Sequence, residues 1–546
     1  MTRSSFFGVS LAILLLATLL ILIQGPMAEL AGKFRAPPEV SPSFSSTAAI
    51  IQKALGESPL VGTGPNTFAL LWERYKPRAL NDTPLWSLRF SNGNSLVGTM
   101  AAEGGVLGGM ALVAFMLLVT MTVLRALGES SLGDLHEALL RSTTGSVIFL
   151  WFLWWVHPTS IFIVYLTFIM TGIFLAMMRV MGLAEAADID LFSSTERGFV
   201  ASLAIIFLLI GSIVGIYFQA TRYVAGLYFA QGLDEFNTGK GLNAARITLA
   251  KAMTYDAYRD QYWRTLAQLE IKKLERIISS AANIPRDEAQ EQFRVSLAAA
   301  IEDAKKATDI GPRDPVNWMV LGQVYEVVIP FVPGSSDLAL ENYNRAKDLS
   351  PTNPAILLGI ARSHLATGGV LALRGGGSVS QDLIAAEQDK AVEALTKATE
   401  LKSDFAEAHF LLAQIYASRG KIDDAITRAE AAYQLAPRDI GVLFQLGLLY
   451  YQKNDLERAR AAFSRAIELN PGYSNALYFA GLIDDRQGRK EDALVKFAKI
   501  RELNPDNKEI QMIIENLNRG KPALDATTPP PPEKRLEPPV KESSTP

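Results

Sequence analysis

Four histidines (His136, His157, His364 and His409) and no cysteine are all this 546-residue chain offers of the most versatile catalytic and metal-binding side chains. The histidines stand far apart with no ligand spacing, so no histidine metal site is expected. Without cysteine there is no disulfide, no thiolate ligand and no cysteine nucleophile. Neither a metal nor any other cofactor is expected. What remains is charge. Arg74, Arg78 and Arg89 lie in one stretch between two apolar runs, and Glu103 stands where the second run begins. A guanidinium presents a planar fork that suits carboxylate and phosphate. Beside a membrane such arginines ordinarily meet lipid headgroups or acidic partners. Glu103 reads as a helix-terminal charge at an interface or as a catalytic group, and His157 as an interfacial polar residue or as a base. No catalytic residue is assigned from these types alone.

The elements that must carry these groups are set by hydropathy. Hydrophobic residues make up 49% of the chain and charged residues 20%, against about 25% charged in ordinary soluble domains. The apolar excess falls in the first 220 positions, which places that part in lipid. A net charge of -3 argues against a dedicated nucleic-acid binder, which would normally be basic. Uncharged runs cover 6–23, 105–124 and 199–218. The run at 6–23 nearly spans a core of about 30 Å; with no small-x-small site after it, it reads as an uncleaved anchor rather than a signal peptide. The run 147–178 would make a single helix of about 48 Å, too long for one span. Pro158 disfavours helix at its centre, and Trp154-Trp155 suits a headgroup interface. A hairpin is expected, one arm ending near Val156 and the other starting near Ile161. Five spans then put Arg3, Arg125, Arg141, Arg179 and Arg197 on the cytoplasmic side, although Lys33 and Arg35 lie in the long outer loop. The expected organisation is a first span at 1–23, an extracytoplasmic loop at 24–104 and four further spans at 105–220. The glycines at 104, 105, 108 and 109 are read as allowing close helix packing.

The outer loop contains Pro59-Leu60-Val61-Gly62-Thr63-Gly64-Pro65-Asn66-Thr67-Phe68, and the next span opens with Glu103-Gly104-Gly105-Val106-Leu107-Gly108. In this order and position the segments resemble the O-antigen ligase and polymerase family of membrane glycosyltransferases, over about residues 45–220. The resemblance implies transfer of a glycan from a polyprenyl-pyrophosphate carrier. Loop arginines would hold the pyrophosphate, here Arg74, Arg78 and Arg89, and a loop histidine would activate the acceptor hydroxyl. That histidine would fall near Gly93, where Ser91-Asn92-Gly93-Asn94-Ser95 stands instead. The family also has more spans than this chain.

Beyond about residue 221 the pattern becomes a repeat. Pro437, Pro471 and Pro505 follow one another at intervals of 34 residues. Between the first two stand Gly447, Tyr450, Ala459, Phe463 and Ala466, and Gly481, Ala493 and Phe497 repeat the set. Trp318, Gly322, Tyr325, Ala339, Tyr343 and Ala346 form an earlier copy with about five extra residues near 329–336. This resembles the tetratricopeptide repeat: small residues let two helices approach, large ones fill the layer between repeats, and the proline follows the second helix. Six or seven units are expected over 221–520, with a capping helix at 509–518 and a mobile loop across 368–388. Residues 521–546 hold eight prolines and are expected to be a disordered, partly polyproline II tail.

The sequence therefore predicts an all-α protein, a polytopic transmembrane helical domain followed by a tetratricopeptide solenoid. The expected location is the inner membrane of a bacterium, with the solenoid extracytoplasmic. Expected partners are membrane lipid, a protein or peptide in the repeat groove and a lipid-linked glycan. The expected role is an interaction scaffold in cell-surface polysaccharide or glycoconjugate assembly, with an active or split glycan ligase as the alternative.

Overall fold

The structure, a computed structural model, describes residues 40–128, 134–158, 160–183, 194–238, 241–374, 378–525 and 540. The first expected span, Lys33, Arg35 and most of the Pro-rich tail lie outside them. Every element among the described residues is a helix. They divide into two compact units, one of residues up to 320 together with 345–352, the other of 321–344 together with those from 353 on.

In the first unit, α1 (Phe44–Glu57) and α2 (Phe68–Tyr75) precede α3 (Leu96–Gly128), α4 (Asp134–Val156), α5 (Ile161–Val180) and α6 (Thr195–Asn237). The last four are long and apolar enough to cross a membrane. They leave Leu118, Phe162 and Leu208 outward-facing, with Leu208 71% exposed. Such continuous apolar surface needs an apolar surrounding. The break between α4 and α5 falls at 157–160, where Pro158 withholds an N–H and bars helix at the residue before it. The two tryptophans ahead of it do not behave as a pair. Trp155 faces outward, whereas Trp154 is buried and donates its indole N–H to Thr167 Oγ1 at 3.1 Å. Trp151 does the same with Thr171 one turn away. With Phe174 and Met178 these rings form the core between α4 and α5.

Helix α6 has 43 residues, about 65 Å of continuous helix, and runs through position 221 without a break. Its last turns pair with α7 (Leu242–Tyr255) where Gly232 meets Leu249; a Cβ on Gly232 would lie 2.7 Å from Leu249 Cγ. The pair α8 (Asp260–Ser280) and α9 (Arg286–Ile310) follows, then α10 (Pro315–Val327) and α11 (Ser335–Leu349), each of which has residues in both units.

The second unit continues with α12 (Pro354–Arg374), α13 (Ser378–Leu401), α14 (Ala406–Ser418), α15 (Ile422–Leu435), α16 (Ile440–Gln452), α17 (Leu456–Leu469), α18 (Ser474–Arg486), α19 (Lys490–Leu503) and α20 (Lys508–Asn518). Successive pairs pack on one another, and α20 closes the row by burying Ile510, Ile513 and Leu517 while its other face stays polar. The loop expected across 368–388 is helical on both sides of 375–377. Ala, Leu, Glu and Gln on either side favour helix, and the two lengthened helices pack together, which outweighs Gly368 and Gly369. Residues 354–373 are also long and apolar enough for a span, a feature the sequence reading passed over. Their buried face, with Ile356, Leu358 and Ala361, shows them to be a core helix of the solenoid.

Candidate functional site

The two glycine-bearing segments of the loop meet backbone to backbone. Gly62, Gly64 and Asn66 all have positive φ. Gly105 does too, and its φ of 63° breaks α3 between an upper turn and the apolar part. Restarting a helix leaves N–H groups without intrahelical partners. Here Val106 N–H donates to Pro59 O at 2.8 Å and Leu107 N–H to Leu60 O at 3.0 Å. Gly64 N–H donates to Glu103 O at 2.9 Å. A Cβ on Gly62 would lie 2.3 Å from Glu103 O, and one on Gly105 would lie 2.3 Å from Gly62 N. Both glycines are therefore demanded by close approach as well as by φ. Around Gly104, Gly108 and Gly109 no atom of the described residues comes within 4 Å of where a Cβ would stand.

Glu103 closes the same junction. Thr67 stands at the N-terminus of α2 without capping it through its side chain. Glu103 Oε1 takes that place, accepting from Phe68 N–H at 2.9 Å, a carboxylate on a positive helix end. Phe68, Leu71 and Trp72 then pack with Ile50, Ala54 and Ala102 into a small core. Trp72 donates to Leu88 O at 3.1 Å and sets its ring edge against Phe90, 4.7 Å between centroids. At Gly93 a Cβ would lie 2.6 Å from Thr47 Cγ2 and 3.3 Å from Phe68 Cζ. A side chain at this position would displace Thr47.

The three loop arginines are dispersed. Arg74 pairs with Glu57 at 3.0 Å and lies over the Tyr75 ring. Burial, followed by the hydrogen bond to Glu57, pushes the Tyr75 phenol up to about 12. Arg78 is exposed at the start of a 3-10 turn, Arg78–Asp82. Arg89 Nη1 donates to Asp314 Oδ2 at 2.6 Å, and Arg264 reaches the same oxygen at 3.2 Å. Asp314 meanwhile caps α10 through Val316 N–H. Two further contacts hold the loop to the same region: Asn81 Nδ2 to Thr352 O at 2.7 Å, and Ser350 Oγ to Glu73 O at 2.9 Å.

One cavity of about 530 Å³ opens beside this junction, lined by Glu57, Thr63, Thr67, Arg74, Arg313 and Leu349 among others. Arg74 is the only one of the three expected arginines to reach it. Arg313, which the sequence reading did not single out, joins it there and has no carboxylate partner among the described residues. Lys76 was also missed. It is buried, donates Nζ–H to Trp86 O at 2.6 Å, and burial pushes its amine down against the opposing pull of Glu73. No local spacing marks it, because its partners come from a separate turn. Among the described residues no cluster of His, Asp and Glu could hold a metal.

In the solenoid the expected packing residues form pairs. Gly447 faces Phe463, with 2.6 Å from a built Cβ to Cε1, and Gly481 faces Phe497 at 2.8 Å. Each aromatic follows its glycine by sixteen residues. Gly322 faces Tyr343 at 3.1 Å, twenty-one residues on, which accounts for the five extra residues of that repeat. Ala459 and Ala466 are fully buried beside Phe463. Tyr325 is buried, while Trp318 donates to Pro312 O at 2.8 Å under the Arg345 guanidinium. Tyr450 donates to Glu430 at 2.5 Å and is covered by Arg458. Pro471 lies exposed just past the end of α17.

Paired helices with a glycine or alanine facing a ring define a tetratricopeptide protein in the C-terminal part. The tetratricopeptide repeat family matches residues 388–440 and 444–508. Among solved structures the chain is similar to YrrB, a tetratricopeptide protein with an unusual peptide-binding site, at 19% identity over 38% of this chain and 94% of that one, with a TM-score of 0.28. It is similar to a tetratricopeptide repeat protein of Parabacteroides merdae at 16% identity over 54% and 98%, TM-score 0.34. PilF of Pseudomonas aeruginosa matches at 16% over 45% and 96%, TM-score 0.32. No curated relative matches the chain.

Proposed function

We propose that this protein is a membrane-anchored scaffold of cell-surface polysaccharide or glycoconjugate assembly, whose repeats recruit a protein or peptide partner. In this reading the described spans α3 to α6, preceded by one at 6–23, lie in the inner membrane of a bacterium. The loop and solenoid are then extracytoplasmic. The loop is related to that of O-antigen ligases but serves architecture. The observation that carries this is the use made of its distinctive residues. Glu103 caps α2, Gly62 and Gly105 let two backbones touch, Arg89 is committed to Asp314, and at Gly93, near where a histidine is expected, an added side chain would press on Thr47.

Two experiments test it. A cysteine introduced as Ser543→Cys, in a chain with no other, should react with an impermeant maleimide in cells or spheroplasts; labelling only after lysis would put the solenoid in the cytoplasm and end this reading. Cross-linking followed by purification should recover an envelope glycan-assembly protein, and recovery of none would remove the scaffold role.

The cavity beside Arg74 and Arg313 favours the alternative, a glycan ligase that binds a pyrophosphate-linked carrier. There, Arg74→Ala with Arg313→Ala should abolish transfer from lipid-linked glycan, whereas a purified chain inert towards that substrate supports the scaffold.

A further inference from the structure

Val540 is the one residue of the Pro-rich stretch past Asp525 whose placement is described, and it is 1% exposed. Its carbonyl accepts from Asn475 Nδ2 at 3.0 Å and its N–H donates to Asn475 Oδ1 at 3.3 Å. A primary amide paired this way imitates a neighbouring peptide group and reads main chain rather than side chain. The valine side chain joins the apolar cluster that includes Leu477, Phe479, Phe497 and Ile513. Asn475 lies on the first turn of α18 and is itself 4% exposed.

The register of this contact follows from the sequence. Pro538 and Pro539 have no N–H, so in Pro538-Pro539-Val540 only the valine can both donate and accept. The preceding prolines also restrict φ, which lowers the entropy lost on docking. A second main-chain contact lies on the same cluster: Ala523 N–H donates to Asp485 Oδ2 at 2.7 Å and Asn516 Nδ2 to Ala523 O at 3.3 Å.

We infer that the Asn475 site is a peptide-binding site that reads a valine through its N–H and carbonyl, and that Val540 of the chain's own C-terminal stretch fills it and excludes competing peptides. The connecting residues 526–539 can extend about 45–50 Å, and linkers this short give effective concentrations near the millimolar range. A partner must therefore outcompete the tail or withdraw it. This rests on the scaffold reading only in giving the solenoid a peptide ligand.

The test uses a fluorescent peptide copying residues 533–546 and the full chain in detergent, intact or ending after Asp525. Anisotropy should show binding to the shortened chain, at least about tenfold weaker binding to the intact one, and loss of binding when the peptide carries V540D. Asn475→Ala in the shortened chain should weaken binding at least about tenfold. If that variant does not fold, the peptide substitution decides alone. No binding to the shortened chain, equal binding to both chains, or undiminished binding of the V540D peptide overturns the proposal. No partner protein enters this measurement, so its failure leaves partner recruitment to the cross-linking experiment.

Discussion

Arg89 and Asp314 stand 225 positions apart and share a hydrogen bond of 2.6 Å, with Asp314 nearly buried. The bond joins the loop to the start of α10, and Arg264 completes it from α8. An arginine that sequence resemblance offers to a pyrophosphate is, in the folded chain, part of a fastening.

Arg89→Ala should lower stability by about 1–3 kcal/mol, because Asp314 keeps Arg264 but loses one charge-assisted bond. Asp314→Ala should cost more, since Arg89 and the Val316 N–H lose their acceptor and Arg264 keeps one hydrogen-bond acceptor, Asn317, in place of two. The double variant should fall short of the sum. Thermal melting of the full chain measures all three; an unchanged Arg89→Ala would mean that the pair contributes nothing.

Gly62→Ala and Gly105→Ala should each disrupt the loop, since the obstructing atoms are backbone and φ is positive. Poor accumulation or rapid proteolysis within 58–105 is the expected readout. Gly108→Ala, with open space at its Cβ, should accumulate normally. Equal behaviour of all three variants would refute the backbone-contact account.

Within the repeats, Gly447→Leu should cost about 1–3 kcal/mol, because the added side chain would meet the fully buried Phe463 ring. Phe463→Ala should cost about 3–5 kcal/mol through the cavity it leaves. Combining them should recover part of the loss. A fragment of 354–525, whose core is formed between neighbouring helices, should be soluble and serve for the denaturant melts; recovery only as aggregate would count against this account of its core.

Asp484 is fully buried and receives Lys496 at 2.5 Å, Arg489 at 2.7 Å and Arg460 at 3.0 Å. Burial alone would push its carboxyl up, but hydrogen bonds from Lys496 and Arg489 outweigh that and hold it below the ordinary range. A depressed carboxylate stabilises above its unfolded value of about 3.9 and loses that contribution as pH falls through the folded value. Asp484→Asn should therefore cost about 1.5–3 kcal/mol at pH 7, and the gap to the native chain should shrink as the pH falls below about 4. A gap independent of pH between 7 and 3 would exclude the ionic account.

What the sequence determined by itself was local. Glycine and ring sixteen residues apart belong to one helix pair, so their partnership repeats with the period and can be read without knowing the rest of the fold. Pro158 breaks a run because the missing N–H and the restricted residue before it act within one turn. The tertiary structure decided the pairings that need distant segments to be brought together. Glu103 caps a helix 35 residues away, Arg89 finds Asp314, and Trp154 turns inward to Thr167 although its neighbour faces out. Nothing in a side chain's type says which distant backbone or carboxylate will lie within 3 Å of it. The same reason hid Val540, whose lone N–H after two prolines acquires meaning only when Asn475 stands opposite it. Apolarity alone could not separate α12 from a span, because burial against α13 and burial in lipid ask for the same residues.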